Sequence, residues 1–235
     1  MAIMLMLFCM TALAQKETKT FTIVSFGDSI TAPRKGLVVY SDLLRKEFEG
    51  RGVAVVNAGI GGNTTAHAKA RFEKDVLARN PDLVIMQFGN NDSAIDVWKD
   101  PPAEKSRVLI EDYEKNLRAM VTTLEKRGVK IILVTPLPTR WTPKLKSMYG
   151  KPPYDPNDPN GFNFQKKEYI AKLKHIAKDE RVPLIDLFSV YFEYDRGHGQ
   201  TMDELFIDGM HPNNKGQQIE ADLLIRQIEK MKLGF

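Results

Sequence analysis

Four short segments of this chain carry the residue types from which an acyl-transfer site can be assembled. In Phe26-Gly27-Asp28-Ser29-Ile30-Thr31, Ser29 follows directly on a strand-like apolar run. Backbone N–H groups at such a turn point toward an oxygen that is developing negative charge, so Ser29 reads as a nucleophile. A helix N-cap, for which Asp and Ser are favoured, fits the same residues. In Phe206-Ile207-Asp208-Gly209-Met210-His211, one loop can supply both an imidazole and a carboxylate. A serine hydroxyl needs the first as general base, and the imidazole needs the second to fix its tautomer. A surface Asp beside an unrelated His would look the same. Asn57-Ala58-Gly59-Ile60-Gly61-Gly62-Asn63-Thr64 has glycines that let the backbone pass close to a reacting group, with the Gly62 N–H as a second oxyanion donor or, equally, a capped glycine turn. Gly89-Asn90-Asn91-Asp92 offers Asn91, whose amide donates without titrating, and Asp92, which reads as a loop-ordering residue. As an Asn-Asn-Asp turn it needs no function.

These segments must be brought together from opposite ends of the chain, and the intervening pattern indicates how. Short β-rich apolar runs at 21–26, 53–56, 83–88, 129–134 and 182–187 alternate with amphipathic stretches at 40–48, 65–78, 104–127, 164–178 and 215–231. Five continuous apolar strands, each followed by a helix, predict a parallel sheet covered by helices on both faces. Active sites in such sheets lie beyond the carboxyl ends of the strands, where three of the four segments fall; the fourth lies just before the last helix. The proline-rich stretch 151–161 reads as a surface loop on the rim of the site. Trp98, Arg140, Trp141, Tyr149 and Tyr154 are expected on the same rim. His175, in a Lys-rich helical stretch, reads as solvated, His67 has no evident carboxylate partner, and His198 reads as part of a mobile loop.

The 235 residues, 43% hydrophobic and 27% charged, suit a single core-forming domain, here 15–235. The 34 basic and 30 acidic residues give a net charge of +4 with no basic stripe, so nucleic-acid binding is not expected. Residues 1–14 are uncharged and apolar and end in Ala12-Leu13-Ala14, which reads as a signal peptide cut after Ala14. No Lys or Arg precedes that stretch. The only cysteine is Cys9, and Phe8 before it is too bulky for a lipidation site. The mature chain would then hold no cysteine, and the protein would be secreted or periplasmic without a stable membrane anchor.

Taken in order, the four segments resemble the four blocks of the SGNH, or GDSL, hydrolases. The resemblance covers residues 21–216 and implies the flavodoxin-like three-layer α/β/α fold of that family. It implies Ser29 as nucleophile, Asp208 and His211 as its partners, and the Ser29 N–H, Gly62 and Asn91 as the oxyanion hole, with Asp28 and Asp92 in support. Thr31 stands where an α/β-hydrolase elbow, Gly-x-Ser-x-Gly, would have its second glycine. No cofactor or metal is implied. The expected substrate is an acylated small molecule or carbohydrate, most of all an O-acetylated sugar as in rhamnogalacturonan acetylesterase-like members. A lysophospholipase or short-chain thioesterase is the alternative within the family. Two readings from other classes are a metal-dependent phosphoesterase using Asp28, Asp92, Asp208 and His211 as ligands, and a carbohydrate-binding protein without catalysis.

Overall fold

A computed structural model describes residues 20–197 and 199–235; the expected leader at 1–14 and His198 lie outside the described residues. The five apolar runs form strands β1 (Phe21–Gly27), β2 (Val53–Gly59), β3 (Leu83–Gln87), β4 (Lys130–Val134) and β5 (Leu184–Ile185). All pair in parallel in the order β2-β1-β3-β4-β5. Gly27 is level with both Gly59 and Gln87, and Gln87 with Val134. The turns leaving β1, β2, β3 and β4 therefore emerge side by side at one edge of the sheet.

Side chains alternate along each strand, and both faces are apolar. Val24, Phe26, Val84, Met86, Ile131 and Leu133 pack under helices α2 (Thr65–Asp75), α3 (Ile110–Lys126) and α5 (Phe164–Asp179). Ile23, Leu83, Ile85, Ile132 and Val134 pack under α1 (Tyr40–Glu47), α6 (Leu187–Tyr194) and α7 (Asn214–Lys230). The expected three-layer α/β/α architecture is thus present.

The structure departs from the sequence reading in several places. Helix α3 starts at Ile110 rather than 104, because 104–109 is drawn into a loop in which Ser106 bridges to Ile95 and hydrogen-bonds Tyr169. Two short helices had not been expected: α4 (Pro143–Tyr149), capped by the Thr142 side chain with Pro143 in its first turn, and α6, capped by Asp186. Tyr149 and Tyr154 are not on an exposed rim: both are buried, in a small cluster with Phe162 and Leu145. Among the described residues no helix is long and apolar enough to cross a membrane.

Candidate active site

Ser29 sits on a single helical turn after β1, closed by Ala32 N–H donating to the Asp28 carbonyl (3.0 Å), and this turn does not continue into a helix. Its carbonyls are occupied on every side: Arg71 donates to Gly27 O (3.0 Å), Gln217 to Ile30 O (3.0 Å) and Asn57 to Thr31 O (2.7 Å). The strand-end loop after β2 runs hard against this turn. A Cβ on Gly59 would lie 2.4 Å from Ala32 N, so only glycine allows the approach. Gly62 follows with a φ of 76°, a left-handed conformation. The N–H groups of Ser29 and Gly62 donate to no acceptor among the described residues.

The loop before α7 brings Asp208 and His211. Phe206 and Pro212 form an antiparallel bridge, and the Ile207 N–H donates to His211 O (2.8 Å), pinching the Asp-x-x-His segment into a tight loop. Asp208 Oδ1 accepts from the backbone N–H groups of Met210 (3.1 Å) and His211 (2.9 Å). Asp208 Oδ2 faces His211 Nδ1 at 2.8 Å, and His211 Nε2 lies 3.0 Å from Ser29 Oγ. The carboxylate accepts the Nδ1 proton, which leaves Nε2 unprotonated toward the hydroxyl. Partial burial raises the Asp208 pKa, but hydrogen bonds from the His211 ring and backbone outweigh this and hold it well below the ordinary carboxylate range. Asp208 is therefore held as a carboxylate.

Asn91 reaches this point from the end of β3. Its Nδ2 donates to Asp28 Oδ2 (3.3 Å) and Asn63 O (3.1 Å), and its Oδ1 accepts from Arg107 (3.0 Å). Asp28 is fully buried, and burial pushes its pKa up to about 6 against the hydrogen bonds it receives from Ile30 N–H and Asn90. Asp92 is buried. Its Oδ1 receives Thr65 N–H (2.8 Å) and the Thr65 hydroxyl, tying the loop to the start of α2. Asp28, Asp92 and the Asp208–His211 pair thus do not converge on one point. Among the described residues no three His, Cys, Asp or Glu side chains come together as a metal-binding group. His67 caps α2 through Thr64, and His175 is exposed beside Asp179.

A small cavity of about 70 Å³ opens beside Ser29 and His211, walled by Ile30, Ala94, Tyr149, Phe162 and Met210. Asn90, Asn91, Arg107, Thr139 and Lys166 supply its polar lining. Arg107 also borders a wider groove of about 560 Å³, lined by Gly62, Thr64, His67 and Lys99. Lys166 and Arg107 did not stand out from the motifs. The first had a signal: it lies three and four residues before Tyr169 and Ile170, on the buried stripe of α5. Arg107 had none, since its loop reads as helix.

Lys166 is buried, and its Nζ donates to Leu137 O and Thr139 Oγ1, each at 2.7 Å. Burial pushes its pKa from the ordinary 10.5 down to about 7. The unfolded chain then binds more protons than the native one between those values, so the cost of the buried ammonium is full below pH 7 and fades as pH rises. Lys166→Met is expected to remove this upward contribution, so that Tm rises less, or falls more, than in wild type from neutral pH to about pH 10, followed by circular dichroism melting. Parallel slopes would contradict this.

A parallel α/β sheet with a Ser-His-Asp hydrogen-bond chain at its carboxyl edge defines the serine-hydrolase class of site. Residues 25–219 match the GDSL-like lipase/acylhydrolase family, and the chain belongs to it. It is an esterase of that family. It is 29% identical to an acetylxylan esterase of Geobacillus stearothermophilus, over 82% of this chain and 80% of the relative. It is 30% identical to an uncharacterized lipoprotein of Bacillus subtilis (strain 168), over 84% and 85% of the two chains. The crystal structure of a lipase/acylhydrolase from Enterococcus faecalis superimposes with a TM-score of 0.69 at 27% identity, covering 90% of this chain and 96% of that one.

Proposed function

We propose that this esterase removes short acyl groups, acetyl foremost, from carbohydrate, with Ser29 as nucleophile, His211 as general base and Asp208 as its orienting partner. The observation that carries the reading is the unbroken chain from Asp208 through His211 to Ser29 Oγ, at 2.8 and 3.0 Å, opening on a cavity of only about 70 Å³. His211 takes the Ser29 proton as Oγ attacks the ester carbonyl. The N–H groups of Ser29 and Gly62 and the Asn91 amide receive the oxyanion. The imidazolium returns its proton to the departing alcohol, leaving acyl-Ser29, and the same imidazole then activates the water that releases the acid.

The size of the cavity supports the acyl preference, since sites for drug-sized ligands are about 300–1,000 Å³. An acetyl methyl can enter beside Tyr149 and Phe162, whereas a long chain has no room there. The wider groove lined by Gly62, with exposed Trp98 on the adjoining segment, offers space for the sugar. Kinship to an acetylxylan esterase supports the same substrate class. The proposal includes export through the leader at 1–14, placing the enzyme in the periplasm or outside the cell.

A series of p-nitrophenyl esters, with acetylated xylan and acetylated pectin alongside, tests the reading. The acetate is expected to be the best ester, with kcat/KM falling about tenfold or more for each added pair of methylenes, the scale of misfit in a closed pocket. Rising activity toward octanoate would contradict it and favour the lysophospholipase or thioesterase alternative.

A further inference from the structure

We propose that Arg107 is a positioning residue of the oxyanion hole, holding the Asn91 amide with its N–H₂ end toward the reacting carbonyl and placing a positive charge behind it. This rests on the serine esterase reading above. An asparagine amide serves an oxyanion only with its nitrogen presented, and its two ends are nearly equal in shape. The surroundings of Asn91 break that symmetry. A guanidinium, which can only donate, lies against Oδ1 at 3.0 Å, while acceptors, Asp28 Oδ2 and Asn63 O, lie against Nδ2 at 3.3 and 3.1 Å. Either neighbour would resist the flipped amide.

Arg107 is itself fixed. Its Nε and Nη2 both donate to Asp96 Oδ1, at 3.0 and 2.7 Å, and its N–H donates to Ala94 O at 2.9 Å. Burial raises the Asp96 pKa, but its hydrogen bonds from Arg107 and Lys99 win and hold it low, so Asp96 is a carboxylate and the pair is ionic. The planar fork of the guanidinium spends one edge on Asp96 and leaves Nη1 for Asn91, a division that a lysine ammonium cannot reproduce. Segment 92–108 exists in a form that delivers this contact: Val108 N–H returns to Asp92 O, and Ile95 pairs with Ser106. Charge on the carbonyl end of an amide polarises its N–H₂ end, so Arg107 strengthens the bond that forms as the oxyanion develops.

The test compares wild type with Arg107→Met, Arg107→Lys, Asn91→Ala and the Asn91→Ala/Arg107→Met double variant. It measures p-nitrophenyl acetate kinetics and inhibition by phenylboronic acid, whose tetrahedral adduct on a serine imitates the oxyanion. Arg107→Met is expected to lower kcat about tenfold, the scale of one hydrogen bond to a charged group, and to weaken the boronic acid equally. KM should stay within about twofold, since the contact matters in the transition state. In the Asn91→Ala background the Arg107 substitution should add nothing, because the two act as one unit. Arg107→Lys, which preserves the charge and replaces the Met variant in the comparison if that variant fails to fold, should show part of the loss. Multiplying losses in the double variant, or a raised KM with kcat intact, would overturn the proposal and leave Arg107 as a loop tether. Ser29→Ala is run in parallel: if it stays active, the serine reading itself fails, whereas an inactive Ser29→Ala with an unimpaired Arg107→Met removes only this inference.

Discussion

Ser29→Ala is expected to lose kcat for ester hydrolysis by on the order of 10⁴-fold or more while the melting temperature stays within a few degrees of wild type. On the proposed mechanism, the chemical loss follows from removing the hydroxyl that lies 3.0 Å from His211 Nε2. The small structural cost follows from where the side chain lies. Ser29 is only partly buried, and the hydrogen bonds that define its turn come from backbone groups and from Asp28, Asn57, Arg71 and Gln217, none of which uses Oγ. Steady-state kinetics on p-nitrophenyl acetate, with thermal melting of the same preparations, checks both halves. A variant retaining a tenth of the activity would remove Ser29 from the mechanism.

The second large effect is expected at Asn91. Replacing it with alanine deletes the proposed amide donor to the oxyanion, and loss of one such donor is typically worth about 10²–10³ in kcat. The Nδ2 contacts to Asp28 and Asn63 O, at 3.3 and 3.1 Å, are at the long end of the hydrogen-bond range, so the amide can lean toward a developing oxyanion without a strong bond to break. KM for the acetate ester should change little, because the bond forms mainly after the carbonyl becomes tetrahedral. If Asn91→Ala turns over acetate at near wild-type rate, the oxyanion rests on the Ser29 and Gly62 N–H groups alone.

Both effects concern residues that the sequence singles out as candidates, and the reason is physical. Chemistry in this fold is gathered in short contiguous segments at the ends of strands, and the strands are unbroken apolar runs because both faces of the sheet are covered. A segment such as Gly89-Asn90-Asn91-Asp92 therefore reveals both its residue types and its place. Asp208 and His211 are legible for the same reason: three residues of spacing lets one carboxylate shape the loop and meet the ring.

What was not legible depends on contacts that no local pattern encodes. Residues 104–109 have helical character, yet Ser106 pairs with Ile95 and Tyr169 instead, and Arg107 is thereby carried to Asn91, sixteen positions away. The run 182–187 looks like one strand. In fact β5 ends at Ile185 because the Asp186 side chain receives the Ser189 N–H and starts α6. Tyr149 and Tyr154 look like exposed loop aromatics until α4 and the loop after it fold them onto Phe162. Lys166 shows the converse. Its position on the stripe of α5 was visible, but a charged residue is normally assigned to the solvent side, and only the carbonyl of Leu137 and the hydroxyl of Thr139 explain its burial.

The most direct test of the central claim is covalent labelling with a serine-directed alkyl fluorophosphonate, followed by mass mapping of the peptides. Full inactivation with one adduct, on Ser29, suppressed in His211→Ala, is the predicted result. Continued turnover of p-nitrophenyl acetate by fully labelled enzyme, or an adduct on another residue that accounts for the inactivation, would contradict it.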